Sequence, residues 1–89
     1  MKLVRELIIV NNYQLYTTRS CIICERVQKL IKSQQLNIEV IEAEDRDIIS
    51  FREMNIRSFP VLKLNENEYI YGVSVGNYIA MHIEDFRIK

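Results

Sequence analysis

Hydrophobic and polar positions along the N-terminal half of the chain follow two different periods. The segment from Tyr13 to Thr18 is rich in aromatic and β-branched residues, which favour a strand. From Cys21 to about Ser33 the period becomes helical, and one face of the predicted helix carries Ile23, Val27, Leu30 and Ile31. Ser20 stands just before this helix, where its hydroxyl predicts an N-cap.

A second strand and a second helix follow in the same order. Residues 38–43 predict the strand, and an apolar set preceded by Asp45 and Asp47 predicts a helix of about ten residues. Pro60 is the one proline of the chain. Since a proline has no N–H to donate to a neighbouring strand, it is expected at the start of the next strand and not inside it. It fits a turn with a cis peptide bond, and an ordinary turn is the alternative.

The C-terminal part predicts a hairpin and a last helix. Residues 61–64 and 68–71 read as strands joined by a turn, and a helix follows from about Val75 to Phe86 with Ser74 as its N-cap. The element order is therefore β-α-β-α-β-β-α. Because the first two strands flank a helix, they are predicted to be parallel, while the last two are antiparallel. This order predicts an α/β domain whose mixed four-stranded sheet is flanked by three helices.

Length, composition and charge describe one small globular domain. The 89 residues are 48 % hydrophobic and 27 % charged. We assign residues 13–89 to this domain and residues 1–12 to an N-terminal extension, for which an edge strand and a short helix both fit. Lys and Arg number 12 and Asp and Glu number 12, so a nucleic-acid partner is not expected. No apolar run approaches the ~20 residues that cross a membrane, and no signal-peptide pattern is visible, so the expected location is the cytoplasm.

The two cysteines are the strongest chemical signal. Cys21 and Cys24 have the spacing C-x-x-C and lie where the first strand passes into the first helix. The free N–H groups and the positive dipole end of a helix favour a thiolate over a thiol, so Cys21 is the predicted nucleophile of thiol–disulfide exchange. Cys24 lies one helical turn further on and is predicted to be more buried, which suits it to resolve a mixed disulfide formed at Cys21.

Two neighbouring residues have open roles, and a metal site is not expected. Arg19 adds positive potential beside Cys21 or is a solvated surface arginine. Tyr16 lines the site or packs in the core. A zinc site needs about four ligands, and two cysteines with the lone His82 are too few within one chain.

These residues together resemble glutaredoxin. The resemblance spans roughly Tyr13 to Phe86 and rests on the strand end Tyr16-Thr17, the helix start Cys21-Ile22-Ile23-Cys24, the segment Arg57-Ser58-Phe59-Pro60 before a hairpin, and Gly72 after it. It implies a thioredoxin fold in which Pro60 is cis and packs opposite the thiol pair. It also implies that no cofactor is bound and that glutathione is a co-substrate.

The resemblance further implies an activity and its binding residues. The protein would reduce protein disulfides or glutathione mixed disulfides, with glutathione or thioredoxin reductase restoring the dithiol, and small members of the family commonly supply electrons to ribonucleotide reductase. The backbone of Phe59, beside Pro60, would pair with the extended backbone of glutathione or a substrate peptide. Arg19 and Ser74 would bind glutathione carboxylates, and Thr18 stands where the family often has a lysine. We expect such a protein to act as a monomer.

Several positions depart from the family pattern. Ile22-Ile23 replaces the usual Pro-Tyr between the cysteines, with Ile23 expected in the core and Ile22 exposed. Gly72-Val73 replaces a Gly-Gly pair. These departures keep two alternatives open: a thioredoxin-fold binding module without turnover, and an iron–sulfur carrier whose cluster bridges two chains.

Overall fold

Four strands and four helices follow one another along residues 13–87, the part of the chain that this computed structural model describes. In chain order they are β1 (Tyr13–Thr17), α1 (Ile22–Ser33), β2 (Ile38–Glu42), α2 (Asp45–Glu53), β3 (Val61–Asn65), β4 (Glu68–Tyr71), α3 (Ser74–Met81) and α4 (Ile83–Phe86). The strands and the first two helices lie where the sequence predicts them, within one residue at each end. The expected extension, residues 1–12, lies outside the described residues.

The sheet has the strand order β2-β1-β3-β4. β1 is parallel to β2, whereas β3 is antiparallel to both β1 and β4, so the predicted mixed sheet is confirmed. Thr17 lies opposite Glu42. Val61 lies opposite Tyr16 on one side and Tyr71 on the other. The ends of β1, β2 and β4 therefore meet the start of β3 at one end of the sheet, which we call the thiol end because the C-x-x-C segment follows β1 there.

Helices cover both faces of the sheet, because alternate residues of each strand point to opposite sides. Leu15 belongs to the larger core cluster, which joins the sheet to α1, α3 and α4 and consists of Leu15, Val27, Ile31, Leu36, Ile38, Leu62, Val75, Ile79 and Phe86. Its neighbour Tyr16 packs on the other face against the smaller cluster, which consists of Phe51, Ile56 and Val61. The sheet is thus the middle of three layers, with a core cluster packed on each of its faces.

The last predicted helix is broken in two at His82, which corrects the expectation of three helices. The backbone at His82 leaves the helical conformation, with φ −125° and ψ 32°. Its N–H is shared between the carbonyl oxygens of Tyr78 and Ile79, both at 3.1 Å. The His82 ring stacks on Tyr78 with centroids 4.2 Å apart, and its Nδ1 lies 2.9 Å from the Tyr78 carbonyl oxygen. The periodicity could not reveal this break, because the apolar stripe continues across it.

Both predicted serine N-caps are wrong by one position. Cys21, with φ −115° and ψ 104°, is the N-cap of α1, and Ser20 lies before it in a left-handed turn with φ 56°. Ser74 is already the first residue of α3, and Val73 precedes it. α1 therefore begins one residue later than Ser20 suggests, because the chain turns at Ser20 first, whereas α3 begins one residue earlier than Ser74 suggests.

Gly72 shapes the turn between β4 and α3. Its φ is +76°, a left-handed conformation that side chains with a Cβ adopt at a cost. Its N–H donates to the Pro60 carbonyl at 2.9 Å, and its own carbonyl accepts from the N–H of Val75 at 3.2 Å. Gly72 therefore links the start of β3 to the start of α3 at the thiol end.

The larger core cluster carries the stability of the fold, which two isoleucines on helices can test. Ile79 has no exposed surface, whereas Ile49 is 56 % exposed. We expect Ile79→Ala to lower the free energy of unfolding by about 2–5 kcal/mol, because it leaves a cavity, and Ile49→Ala to change it by less than about 1 kcal/mol. Urea denaturation of the disulfide-bonded protein measures both, and equal losses would contradict the assigned core.

The two glycines provide a matched test of the turn at Gly72. A Cβ on Gly72 would lie 3.4 Å from the Ser58 Cβ in a left-handed residue, whereas a Cβ on Gly76 would lie at an ordinary 3.8 Å from Val27 Cγ2. We expect Gly72→Ala to destabilise the protein by about 1–2 kcal/mol. Gly76→Ala should stabilise it by about 0.5–1 kcal/mol, because alanine favours the helix. Thermal unfolding distinguishes the two, and the same sign for both variants would refute this account.

Candidate active site

The C-x-x-C pair lies at the start of α1, at the thiol end of the sheet. After β1 the chain turns through Arg19 and Ser20, and Cys21 then enters the helix as its N-cap. Cys21 and Cys24 are joined by a disulfide, with Cα atoms 5.2 Å apart. The backbone N–H of Cys24 donates to the Cys21 Sγ at 3.1 Å. The same N–H and the positive end of the helix dipole stabilise negative charge on that sulfur when the disulfide is reduced.

The two cysteines differ in burial. Cys24 is 1 % exposed, whereas Cys21 is half-buried and reaches the surface. A disulfide that approaches from solvent can therefore reach Cys21 before it reaches the buried Cys24. This asymmetry agrees with the predicted roles of nucleophile for Cys21 and resolving thiol for Cys24, which stay predictions.

The segment before β3 lies at the same end of the sheet. The Phe59–Pro60 peptide bond is cis, as the resemblance implies. Pro60 is fully buried and directly precedes Val61, whose partner on β1 is Tyr16. Among the described residues, none is joined by a backbone–backbone hydrogen bond to the N–H or C=O of Phe59. As far as residues 13–87 are concerned, the N–H and C=O of Phe59 therefore remain for pairing with an extended peptide.

Three of the other predicted binding residues lie at the thiol end, but in different settings. Thr18 is half-buried directly after β1. Arg19 is exposed in the following turn, and Ser74 is exposed at the start of α3. Thr17, which sequence reasoning assigned no role, is buried and donates its hydroxyl to the Ile41 carbonyl at 3.5 Å. Their placement fits a binding site around Cys21, and their individual contacts with a substrate stay predictions.

Tyr16 lies in the aromatic cluster on the α2 face. Its ring meets Phe51 edge-on with centroids 5.1 Å apart, and Phe51 in turn meets Phe59 at 5.9 Å. Burial raises the pKa of the Tyr16 phenol above its usual value, an effect that the nearby Lys63 charge opposes. The Tyr16 ring is therefore linked to Phe59, just before Pro60, through the ring of Phe51.

Arg19 is bound to a residue that sequence reasoning missed. Its Nε donates to Glu42 Oε2 at 2.9 Å. The strands hold the two residues together, because Thr17 lies opposite Glu42 and the N–H of Ala43 donates to the Thr17 carbonyl at 2.8 Å. Glu42 ends a strand of alternating residues, and only the register of β2 against β1 reveals that it reaches the thiol end.

The segments at the starts of α1 and α3 expose apolar side chains. Ile22 and Val73 are both exposed, and Ile22 follows Cys21 directly. Ile23 is half-buried and packs against the larger core cluster, so the two isoleucines divide as predicted. A groove of about 320 Å³ runs between α1 and α3, with Ile23 and Val73 in its lining.

In the described part of the chain, no helix is both long and apolar enough to span a membrane. Over the same residues, no group of three or more His, Cys, Asp and Glu side chains is arranged to hold a metal ion.

Comparison with known proteins identifies the fold of this chain. No protein-family model matches the chain, and no curated protein matches it. Two solved structures do. NrdH-redoxin from Escherichia coli, a glutaredoxin-like protein with a thioredoxin-like activity profile, aligns with a TM-score of 0.63 at 17 % identity over 76 % of this chain and 93 % of its own. A wheat glutaredoxin aligns with a TM-score of 0.59 at 21 % identity over 91 % of this chain and 83 % of its own. The protein therefore has the thioredoxin-like fold of glutaredoxins, with a C-x-x-C pair at the start of its first helix.

Proposed function

We propose that this protein is a thiol–disulfide oxidoreductase that reduces protein disulfides or glutathione mixed disulfides through Cys21 and Cys24. One observation carries the proposal: Cys21 is only half-buried and its sulfur caps α1, accepting the Cys24 N–H at 3.1 Å, while Cys24 itself is fully buried. A sulfur at that position is stabilised as a thiolate, and the thiolate is the attacking form in disulfide exchange.

The reaction takes two exchange steps. The Cys21 thiolate attacks one sulfur of the substrate disulfide, and the other substrate sulfur leaves as a thiolate that takes up a proton. Cys24 then loses its proton and attacks the Cys21 Sγ, which displaces the second substrate sulfur as a thiol. Two electrons and two protons pass to the substrate, and the product is the Cys21–Cys24 disulfide that this structure contains.

The proposed substrate site extends from Cys21 to the segment before β3. The backbone of Phe59 would pair with the extended backbone of a substrate peptide or of glutathione, beside cis-Pro60. Thr18, Arg19 and Ser74, which lie at the thiol end, would line this path. Tyr16 would contribute indirectly, because it packs with Phe59 against the smaller core cluster.

Glutathione and thioredoxin reductase are the two candidate reductants of the oxidised protein. The thioredoxin-like profile of the structurally similar NrdH-redoxin supports the reductase, and so does the apolar surface of Ile22 and Val73. We infer that no cofactor is bound and that the protein works as a cytoplasmic monomer on protein disulfides, with ribonucleotide reductase among the candidate substrates.

Serine substitutions separate the two thiols. Cys21→Ser should abolish reduction of insulin disulfides, because a hydroxyl does not replace the attacking thiolate. Cys24→Ser, the same change one helical turn away, should keep the reduction of a glutathione mixed disulfide but trap covalent complexes with protein disulfides. Turnover assays and non-reducing gels measure these outcomes, and full activity of Cys21→Ser would end the proposal.

The pH dependence of alkylation separates an enzyme from a binding module of the same fold. Free cysteine titrates near ~8.5, and a helix N-terminus lowers that value. We therefore expect the rate of Cys21 alkylation by iodoacetamide, measured in reduced Cys24→Ser, to reach half its maximum well below pH ~8.5. A midpoint at the free-cysteine value would favour the binding module.

A further inference from the structure

We propose that Glu42 is a specificity-determining residue of the thiol pair. By holding Arg19 in an ion pair, Glu42 disfavours anionic glutathione disulfides and leaves protein disulfides as the better substrates. This inference rests on the proposed exchange activity and concerns which disulfide Cys21 attacks.

The ion pair is built into the fold at the thiol end. Arg19 stands two residues before Cys21, and its Nε lies 2.9 Å from Glu42 Oε2. The backbone on both sides is tied down, because Thr17 pairs with Glu42 and the N–H of Ala43 donates to the Thr17 carbonyl at 2.8 Å. The backbone of Glu42 is therefore fixed beside the loop that leads to the nucleophile, within reach of Arg19.

The charge of this pair matters for small anionic substrates. Arg19 is the one charged residue between β1 and the first cysteine, so it is a candidate ligand for a glutathione carboxylate. Glu42 holds the Nε of this guanidinium and adds a negative charge that repels the same carboxylate. A protein disulfide held by the Phe59 backbone and by apolar contact with Ile22 does not need the guanidinium.

The expected effect is modest because both partners face solvent. The side chains of Arg19 and Glu42 are 89 % and 58 % exposed. An exposed pair of this kind shifts an equilibrium by up to about fivefold, and salt screens it. Glu42 therefore biases substrate choice and does not switch it off.

The test compares a charged and a neutral disulfide. Fully reduced wild type and Glu42→Gln are mixed separately with glutathione disulfide and with bis(2-hydroxyethyl) disulfide, and second-order rate constants are obtained by alkylation quench and mass spectrometry. We expect Glu42→Gln to react about three- to fivefold faster with glutathione disulfide and at an unchanged rate with the neutral disulfide. The unchanged rate also reports that the variant is folded and that Cys21 is equally nucleophilic.

Two variants and one salt series complete the design. The gain should disappear in the double variant Arg19→Gln/Glu42→Gln and shrink at ~1 M salt, where charges are screened within ~3 Å. Glu84→Gln is the matched control. It removes a carboxylate whose Oε2 lies 3.0 Å from the Arg87 Nε. Arg87 forms an isolated β-bridge with Leu36, which precedes β2 at the end of the sheet opposite the thiol end. It should leave both rates unchanged.

The outcomes separate this inference from the function on which it rests. Equal acceleration with both disulfides, a gain that survives in the double variant, or the same gain in Glu84→Gln would overturn the role of Glu42 while leaving exchange intact. A wild type that reacts with neither disulfide faster than Cys21→Ser would overturn the exchange activity itself, and this inference with it.

Discussion

Strand β1 is paired on both of its sides, in parallel with β2 and antiparallel with β3, and this double pairing decides where the candidate site lies. It brings the end of β1, the end of β2 and the start of β3 to one end of the sheet. The chain leaves β1 there and enters α1 through Cys21, while Pro60 arrives from the other direction. The two segments lie far apart in the sequence. Their proximity is a property of the sheet.

The helix start adds the chemistry that the sheet cannot supply. A helix leaves its first N–H groups without partners, and Cys21 at the N-cap presents its sulfur to one of them. The fold buries Cys24 beneath it against the rest of the molecule, so two sulfurs close in sequence have different access to solvent. The N-cap position of Cys21 therefore favours negative charge on its sulfur, and burial keeps the Cys24 sulfur away from solvent.

The surroundings of the sulfur pair combine apolar surface with a neutralised charge. Ile22 and Val73 are exposed beside the site, and Arg19 is held by Glu42. Under the proposal, small charged disulfides and protein disulfides would respond to these features in opposite ways, because the first depend on charge and the second on apolar contact. The proposed selectivity would then lie in residues that do not touch the reacting sulfurs.

Local sequence patterns determined the elements, their order and the place of the cysteine pair, because helix and strand periods and the C-x-x-C spacing depend on residues close together in the chain. The break at His82 escaped this reading, since the apolar stripe of Ile79, Ile83 and Phe86 continues through it. The ion pair of Arg19 with Glu42, the hydrogen bond of Gly72 to Pro60 and the packing of Tyr16 on the α2 face were decided by tertiary structure alone. Each joins residues that lie far apart in the chain, and a shift of one residue in strand register would separate them.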